Sequence, residues 1–219
     1  MSESTSAAPQ PSQSVPSRRR VASSLAWAVP TVVAAAAAPA EAASPPPRID
    51  RSFLVTRGTQ AAVPGASVSA CGSSSTRLSV TTDNSTYYYR IANVPIGSTV
   101  TGVTASILVQ KSMVDAMETG KNPTTFTWTS STPSWSTPTR EVSGTGSPVL
   151  YTDNNIQYYR YVSRLLTPVP APVSGTITLP RIGWYSNCST ALAGVSVNGR
   201  GSAVVNGKTL VQIGAYRTL

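Results

Sequence analysis

Two aspartates stand at equivalent places in a repeated motif, and paired carboxylates are groups that can do acid and base chemistry. Thr-Asp-Asn, three further residues and Tyr-Tyr-Arg occur around Asp83 and again, 70 positions later, around Asp153. A glycosidase needs two such carboxyl groups about 5 to 10 Å apart. An Asp before a strand also forms an Asx-turn, since its side chain bonds the backbone two residues on. We expect this turn role; hydrolysis, or calcium binding that includes Asn84, Asn154 and Asn155, is the alternative.

Aromatic and basic side chains follow each aspartate. Successive rings of a strand point to opposite faces, so some tyrosines of each run are expected at the surface. Trp135 lies between Pro133 and Pro138 in a segment typical of an exposed loop. Exposed rings beside hydrogen-bonding groups suit sugar recognition, whereas packing in the core is the alternative role. The candidate ligand-binding residues are Trp135, Tyr88, Tyr158, Arg90 and Arg160.

The 219 residues contain no histidine, which excludes several kinds of active site. Ser-His-Asp and Cys-His nucleophile systems, His-containing zinc sites and HExxH metalloproteases all need an imidazole. Gly-x-Ser-x-Gly, Ser-x-x-Lys, phosphate-binding glycine loops and dinucleotide fingerprints do not occur either. We therefore predict a protein that is not an enzyme, with no catalytic residues, no cofactor and no metal.

The N-terminal residues have the layout of a signal peptide. Three arginines at 18–20 are followed by a weakly apolar, alanine-rich stretch and by the small residues Ala40 and Ala42. We expect cleavage after Ala42; the arginines also resemble a twin-arginine signal, so the choice between Sec and Tat export stays open. A retained anchor is the alternative, but two prolines and a mainly alanine core are unfavourable for a spanning helix.

The run at residues 26–44 resembles the signal peptides of secreted actinobacterial proteins of unknown function. The resemblance implies a secreted or cell-envelope location. Past Ala42 the sequence holds 14 basic and 6 acidic residues, and this formal charge of +8 would draw an exported protein towards anionic surfaces. The basic residues form no block and no basic helix, so we expect no nucleic acid partner, and no stable membrane span after cleavage. The predicted partners are anionic cell-wall polymers or another envelope protein.

Beyond a proline-rich spacer at residues 43–48, apolar and polar residues alternate in short runs separated by Gly, Pro, Asn and Asp. This period is typical of antiparallel strands with one buried face. We predict a single all-β domain at residues 49–219, an antiparallel β-sandwich of immunoglobulin-like or Greek-key type. Its ten predicted strands span residues 52–56, 77–81, 87–93, 100–110, 124–129, 158–163, 176–179, 191–197, 202–205 and 209–215.

Local signals predict two turns and one helix. Asn-Gly at 198–199 and at 206–207 separates β-branched runs, and this dipeptide favours type I′ turns, so a short meander is expected. A helix of at most two turns is predicted from Ser112, as N-cap, to Glu118, with Gly120 as its stop.

A second match at the same offset of 70 extends the repeated motif. Residues 103–109 align with residues 173–179, and two matches at one spacing predict an internal duplication. Each copy would be a turn, an aromatic strand, a loop and a returning strand, as in half of a Greek key. Residues 87–109 are similar to the immunoglobulin-like repeats of bacterial surface proteins, which implies a sandwich, although the usual Asn-x-Gly turn is missing.

Cys71 and Cys188, the two cysteines of the chain, lie on either side of the two copies. An even pair in an exported protein predicts a disulfide, and a link of this span favours one closed domain. Free thiols or a metal site are the alternatives, although two sulfurs are too few ligands. The sequence thus leaves three hypotheses about function: a non-enzymatic structural or interaction module of the cell envelope, a carbohydrate-binding module, and a hydrolase.

Overall fold

The structure, a computed structural model, describes residues 44–59, 68–173 and 175–219. Residues Pro45–Leu219 belong to one unit. The predicted signal peptide lies outside the described residues. Within the described ranges, no helix has the length and apolarity that crossing a membrane requires.

The described residues form fourteen strands, one α-helix and a short 3-10 helix, so the predicted all-β class is confirmed. The helix α1 spans Lys111–Thr119, and the 3-10 helix spans Thr190–Leu192. In chain order the strands are β1 (Arg48–Ser52), β2 (Leu54–Gly58), β3 (Arg77–Thr81), β4 (Tyr88–Ala92), β5 (Val100–Gln110), β6 (Trp128–Ser130), β7 (Thr139–Arg140), β8 (Leu150–Asp153), β9 (Ile156–Arg164), β10 (Thr176–Thr178), β11 (Gly183–Ser186), β12 (Ser196–Val205), β13 (Lys208–Ile213) and β14 (Arg217–Thr218).

The strands pair antiparallel in three sheets. Sheet I has the order β1-β4-β10, sheet II the order β2-β3-β11-β6, and sheet III the order β13-β12-β5-β9-β7, with β8 on β9 and β14 on β12. The chain passes between sheets I and II three times, since β1 leads into β2, β3 into β4 and β10 into β11. The hydroxyl of Tyr89 in β4 donates to the carbonyl oxygens of Thr104 (2.7 Å) and Ser202 (3.0 Å) in sheet III. The side chain thus crosses the interior of the predicted sandwich.

The core lies between these layers and follows the period of two. In β5 the side chains of Val103, Ala105, Ile107 and Val109 lie in the core; on the other face Thr104 is half-buried, whereas Ser106 and Leu108 are also buried. Burial of such apolar surface is the main favourable term in folding. Strand β11 is buried at all four positions, so it shows no alternation in the sequence and was not predicted.

The aromatic strands of the predicted duplication pair across the two copies. Ile91 of β4 lies opposite Ile177 of β10 in sheet I, and Tyr161 of β9 lies opposite Ile107 of β5 in sheet III. Ile91 of β4 corresponds to Tyr161 of β9 at the repeat offset of 70, and Ile177 of β10 corresponds to Ile107 of β5. The two pairs are therefore equivalent under the repeat. Each aromatic strand therefore pairs with the returning strand of the other copy, whereas a half Greek key would keep both within one copy.

One of the two predicted Asn-Gly turns is present. Asn206 and Gly207 have φ angles of 49° and 80° and join β12 to β13, as predicted. The prediction for residues 198–199 was wrong, because both lie within β12. A Cβ atom at Gly199 would come 2.9 Å from the ring of Phe53, so this glycine lets an aromatic side chain pack directly on the strand.

The helix and one strand differ from prediction at their ends. Gln110, and not Ser112, is the N-cap of α1, and its side chain makes no capping hydrogen bond. Gly120 is the C-cap, consistent with the predicted stop, and Val114 and Met117 are buried. The predicted strand at 191–197 was wrong in its first half, which forms the 3-10 helix and the following turn.

Cys71 and Cys188 form the predicted disulfide, with Cα atoms 5.6 Å apart and a sequence separation of 117. Arg77, whose side chain is buried, lies against this bond. Its Nε donates to Cys71 Sγ (3.3 Å) and its Nη2 to Cys188 Sγ (3.0 Å). The disulfide therefore also provides acceptors for a buried positive charge.

Candidate functional site

Asp83 forms the predicted Asx-turn. Its Oδ1 accepts hydrogen bonds from the backbone N–H groups of Ser85 (2.7 Å) and Tyr87 (2.9 Å), in the loop between β3 and β4. The bond from Tyr87, followed by that from Ser85, lowers the pKa of the exposed Asp83 carboxyl, because both favour the ionised form. The carboxylate is thus engaged by the turn that it shapes.

Asp153 lies at the end of β8, in the hairpin that leads to β9. Asn154 and Asn155 have φ angles of 46° and 63°, as a type I′ turn requires, and Asn154 Nδ2 donates to Asp153 Oδ2 (3.3 Å). This hairpin belongs to sheet III, whereas Asp83 joins a strand of sheet II to one of sheet I. The two carboxylates are therefore held in separate turns of different sheets.

The Asp83 carboxyl is expected to titrate below the ordinary aspartate pKa. The stability that its two amide hydrogen bonds add is full above that ordinary pKa and is lost as the pH falls through the lowered pKa of the folded state. The side-chain ¹³C shift of Asp83 and the amide proton shifts of Ser85 and Tyr87 should follow one common titration in NMR. Titration at or above the ordinary value, or independent movement of these amide shifts, contradicts the turn geometry.

The expected exposure of Trp135 was wrong. Its side chain is 2% exposed and stacks on Tyr89, with ring centroids 5.9 Å apart. It also meets Trp184 edge to face at 6.4 Å, and its Nε1 donates to the carbonyl oxygen of Pro180 (3.1 Å). The proline-bounded loop inserts this indole into the core, so the ring is not open to a sugar.

Tyr158 is also inaccessible, although it points away from the core that Tyr159 and Tyr161 enter. The side chain is 1% exposed, because the ring of Tyr216 covers it at a centroid distance of 4.7 Å. Its hydroxyl shares a hydrogen bond of 3.0 Å with Ser196. The interpretation of Tyr158 as an outward ligand platform is therefore corrected by the C-terminal segment that packs over it.

Tyr88 and Arg90 lie next to each other on the outer face of sheet I and are half-buried. The guanidinium carbon of Arg90 is 3.6 Å from the centroid of the Tyr88 ring, so the arginine stacks on an outward-facing tyrosine. The cation covers one face of the ring. These two residues thus form a small polar patch opposite Asp50 of β1 and Thr178 of β10.

Arg160, the last candidate, borders a groove of about 710 Å³ on the outer face of sheet III, which we call the basic groove. The pairing register places Thr104, Arg164 and Ser202 in one row across β5, β9 and β12. The segment at 136–142 closes one side. The residues that line the basic groove are Thr104, Ser136, Thr137, Thr139, Arg140, Glu141, Val142, Arg160, Val162, Arg164 and Ser202.

The single carboxylate of the basic groove, Glu141, is already engaged. Arg160 Nη1 donates to Glu141 Oε1 (3.5 Å) and to the Tyr151 hydroxyl (3.1 Å), which in turn donates to Glu141 Oε2 (2.7 Å). Arg160 Nε donates to Ser106 Oγ (3.1 Å). This network fixes the orientation of the Arg160 guanidinium on the sheet.

The remaining arginines of the basic groove differ in their partners. Arg140 forms an ion pair with Glu118 of α1. Arg164 is exposed, and within the described ranges its guanidinium takes part in no ion pair and no hydrogen bond. Outside the groove, the guanidinium carbon of Arg200 lies 5.1 Å from the centroid of the Tyr151 ring. Arg160 contacts the same ring. The outer face of sheet III thus carries more positive charge than its carboxylates balance.

Of the residues that line the basic groove, the sequence identified only Arg160 as a candidate. Arg164 follows Arg160 by four positions, so the period of two places both on the same face of β9. That signal was present in the sequence and was missed.

No family model, no curated protein and no solved structure matches this chain.

Proposed function

We propose that this chain is an exported, non-enzymatic interaction module of the cell envelope that holds an anionic cell-wall polymer in the basic groove. The observation that carries the proposal is the charge balance of this groove: three arginines line it, Arg140 and Arg160 are paired with Glu118 and Glu141, and the charge of Arg164 is left over. The carboxylate of Glu141 forms an ion pair with Arg160, and Arg164 has no ionic partner among the described residues. An anionic ligand would complete this set of charges.

The chemistry of the lining fits phosphate or carboxylate groups carried on a hydroxylated polymer. A guanidinium presents its N–H donors in a rigid planar fork that matches both anions. Hydroxyls of Thr104, Thr139 and Ser202 lie on the same surface and can donate to or accept from polymer hydroxyls. The formal charge of +8 past Ala42 adds a long-range attraction that raises the local concentration of a polyanion.

The proposed location rests on the signal-peptide layout of residues 1–42 and is supported by the disulfide. Disulfides persist in oxidising compartments outside the cytoplasm, and a Cys71–Cys188 bond suits such a place. Export by Sec or Tat would deliver the chain to a wall whose anionic polymers attract its positive surface. We propose no catalytic residue, cofactor or metal for this role.

Replacement of Arg164 by Gln is expected to weaken binding to isolated anionic wall polymer about three- to tenfold, as loss of one exposed charge contact implies. The measurement is co-sedimentation with insoluble wall before and after chemical removal of its anionic polymers. Arg181→Gln is the matched control, because Arg181 is exposed and lies outside the groove. Binding of the wild type should fall as salt is raised.

Equal losses in Arg164→Gln and Arg181→Gln would mean that net charge alone holds the protein on the wall, and the groove would have no specific role. Retention that survives removal of the anionic polymers would instead support the carbohydrate-binding hypothesis. In that case Tyr88 and Arg90 are the predicted residues still at the surface, and Tyr88→Ala would be the next variant.

A further inference from the structure

A second cluster of arginines lies at the edge of the sandwich, where β1 meets β12, β13 and β14. It surrounds a pocket of about 270 Å³, which we call the edge pocket. Its lining includes the side chains of Arg51, Gln212 and Arg217, and no carboxylate. Ile49 and Arg51 of β1, and Phe53 directly after it, point to the same inner side of the sheet. Arg51 therefore occupies a position where an apolar side chain is expected.

The partners of both guanidiniums are neutral. Arg51 Nη2 donates to the carbonyl oxygen of Gly199, and its guanidinium carbon is 5.0 Å from the centroid of the Phe53 ring. Arg217 Nη2 donates to the carbonyl oxygens of Phe53 (3.4 Å) and Val55 (2.9 Å). Within the described residues, neither arginine forms an ion pair.

The neighbourhood of Arg51 disfavours its positive charge. Burial lowers the pKa of Arg51 to about 10, and repulsion from Arg200 and Arg217 adds to this effect, against an opposing contribution from Tyr89. An arginine in such surroundings is stabilised by an anion, because like charges in a poorly solvated site raise one another's free energy.

Two side chains that line the edge pocket each carry a polar atom without a hydrogen bond among the described residues. Arg51 Nε and Gln212 Oε1 are buried, and neither has a partner among the described residues. One atom is a donor and the other an acceptor, and leaving either unpaired in a buried place is costly. A ligand that accepts from a guanidinium and also donates one hydrogen bond would satisfy both. Hydrogen phosphate and a singly protonated phosphate monoester have this combination, whereas sulfate at neutral pH has acceptors only.

We propose that the edge pocket binds a phosphate group that keeps at least one proton. The charged oxygens accept from Arg51 and Arg217, and the protonated oxygen donates to Gln212. This site is separate from the basic groove, with which it shares no lining residue. The phosphate group has two sources, free inorganic phosphate or the monoester headgroup of a lipid.

The test is isothermal titration of the full chain with sodium phosphate and with sodium sulfate, in chloride buffer at pH 6.5 and matched ionic strength. A saturable site for phosphate, and at least tenfold weaker binding of sulfate at that site, are expected. Arg217→Gln should weaken phosphate binding about tenfold or more, since it removes a charge-assisted contact. Arg51→Lys should also weaken it, because an ammonium lacks the second edge of the fork.

Controls separate this site from the groove and identify the source of the phosphate. The phosphate binding that Arg217→Gln removes should remain in Arg164→Gln, which alters only the basic groove, and Arg181→Gln, which lies outside both cavities, should leave all phosphate binding unchanged. Arg217 is exposed, so its variant is expected to keep the circular dichroism spectrum of the wild type. Absence of saturable phosphate binding by the wild type, equal affinity for sulfate, or unchanged binding by Arg217→Gln overturns the proposal. Binding to phosphatidic acid vesicles, but not phosphatidylcholine vesicles, that Arg217→Gln abolishes assigns the lipid source; phosphate binding without vesicle binding assigns free phosphate.

Discussion

Loss of the Cys71–Cys188 disulfide is expected to lower the free energy of unfolding by about 4 to 5 kcal/mol. On the chain-entropy model the stabilisation grows with the length of the closed loop, and this bond links residues 117 positions apart. Urea unfolding of the wild type with and without a reductant, followed by circular dichroism, measures the difference.

The double variant Cys71→Ser/Cys188→Ser is the matched control, because it removes the bond without leaving thiols. Its unfolding midpoint should agree with that of the reduced wild type and should not respond to reductant. Near Arg77 the reduced wild type keeps two thiol sulfurs and the double variant has two hydroxyl oxygens, so acceptors for this buried guanidinium are present in both. An unchanged midpoint after reduction would show that the two cysteines are not bonded in the folded protein.

Trp135→Ala is expected to destabilise the domain by about 3 to 5 kcal/mol, the range for removing a buried tryptophan. The indole is 2% exposed, packs against Tyr89 and Trp184, and donates a hydrogen bond to Pro180. Urea unfolding of the variant against the wild type gives the value.

Trp135→Phe is the matched variant, because it keeps an aromatic ring and loses the hydrogen bond. We expect its destabilisation to be clearly smaller than that of Trp135→Ala. A cost below about 1 kcal/mol for Trp135→Ala, in the range of surface substitutions, would contradict the buried position. Any loss of wall binding by Trp135→Ala has to be compared with its folded fraction, since the ring itself faces the core.

Burial on both faces did not by itself hide a strand from prediction, since β3 is buried at all five positions and matches the predicted residues 77–81, whereas β11 was missed. Strand β5 spans Val100–Gln110, as the alternation of residues 100–110 predicts. Strand β11 is covered on both sides and lacks alternation. Trp135 was misplaced because prolines mark a loop but do not tell where the side chain of that loop points. Gly199 resembled a turn residue, although its lack of a Cβ serves the packing of Phe53.

The candidate sites depend on pairing between distant segments, which explains why the sequence indicated them only in part. The basic groove combines Thr104, Arg164 and Ser202, which come together through the register of three strands. The edge pocket joins Arg51 to Arg217 across almost the full length of the described chain. Composition predicts a basic surface, but register and edge position decide which arginines share a cavity.

The exchange of strands between the two motif copies has a consequence for the order of events in folding. Ile91 finds its partner at Ile177, and Ile107 finds its partner at Tyr161, so neither pairing is local. Such contacts require long segments to close before any stabilisation is gained, which makes the search slow. Strand β4 can pair with β1, and β9 can pair with β8 through a local hairpin, but each gains its second neighbour, the returning strand, only when both copies are present.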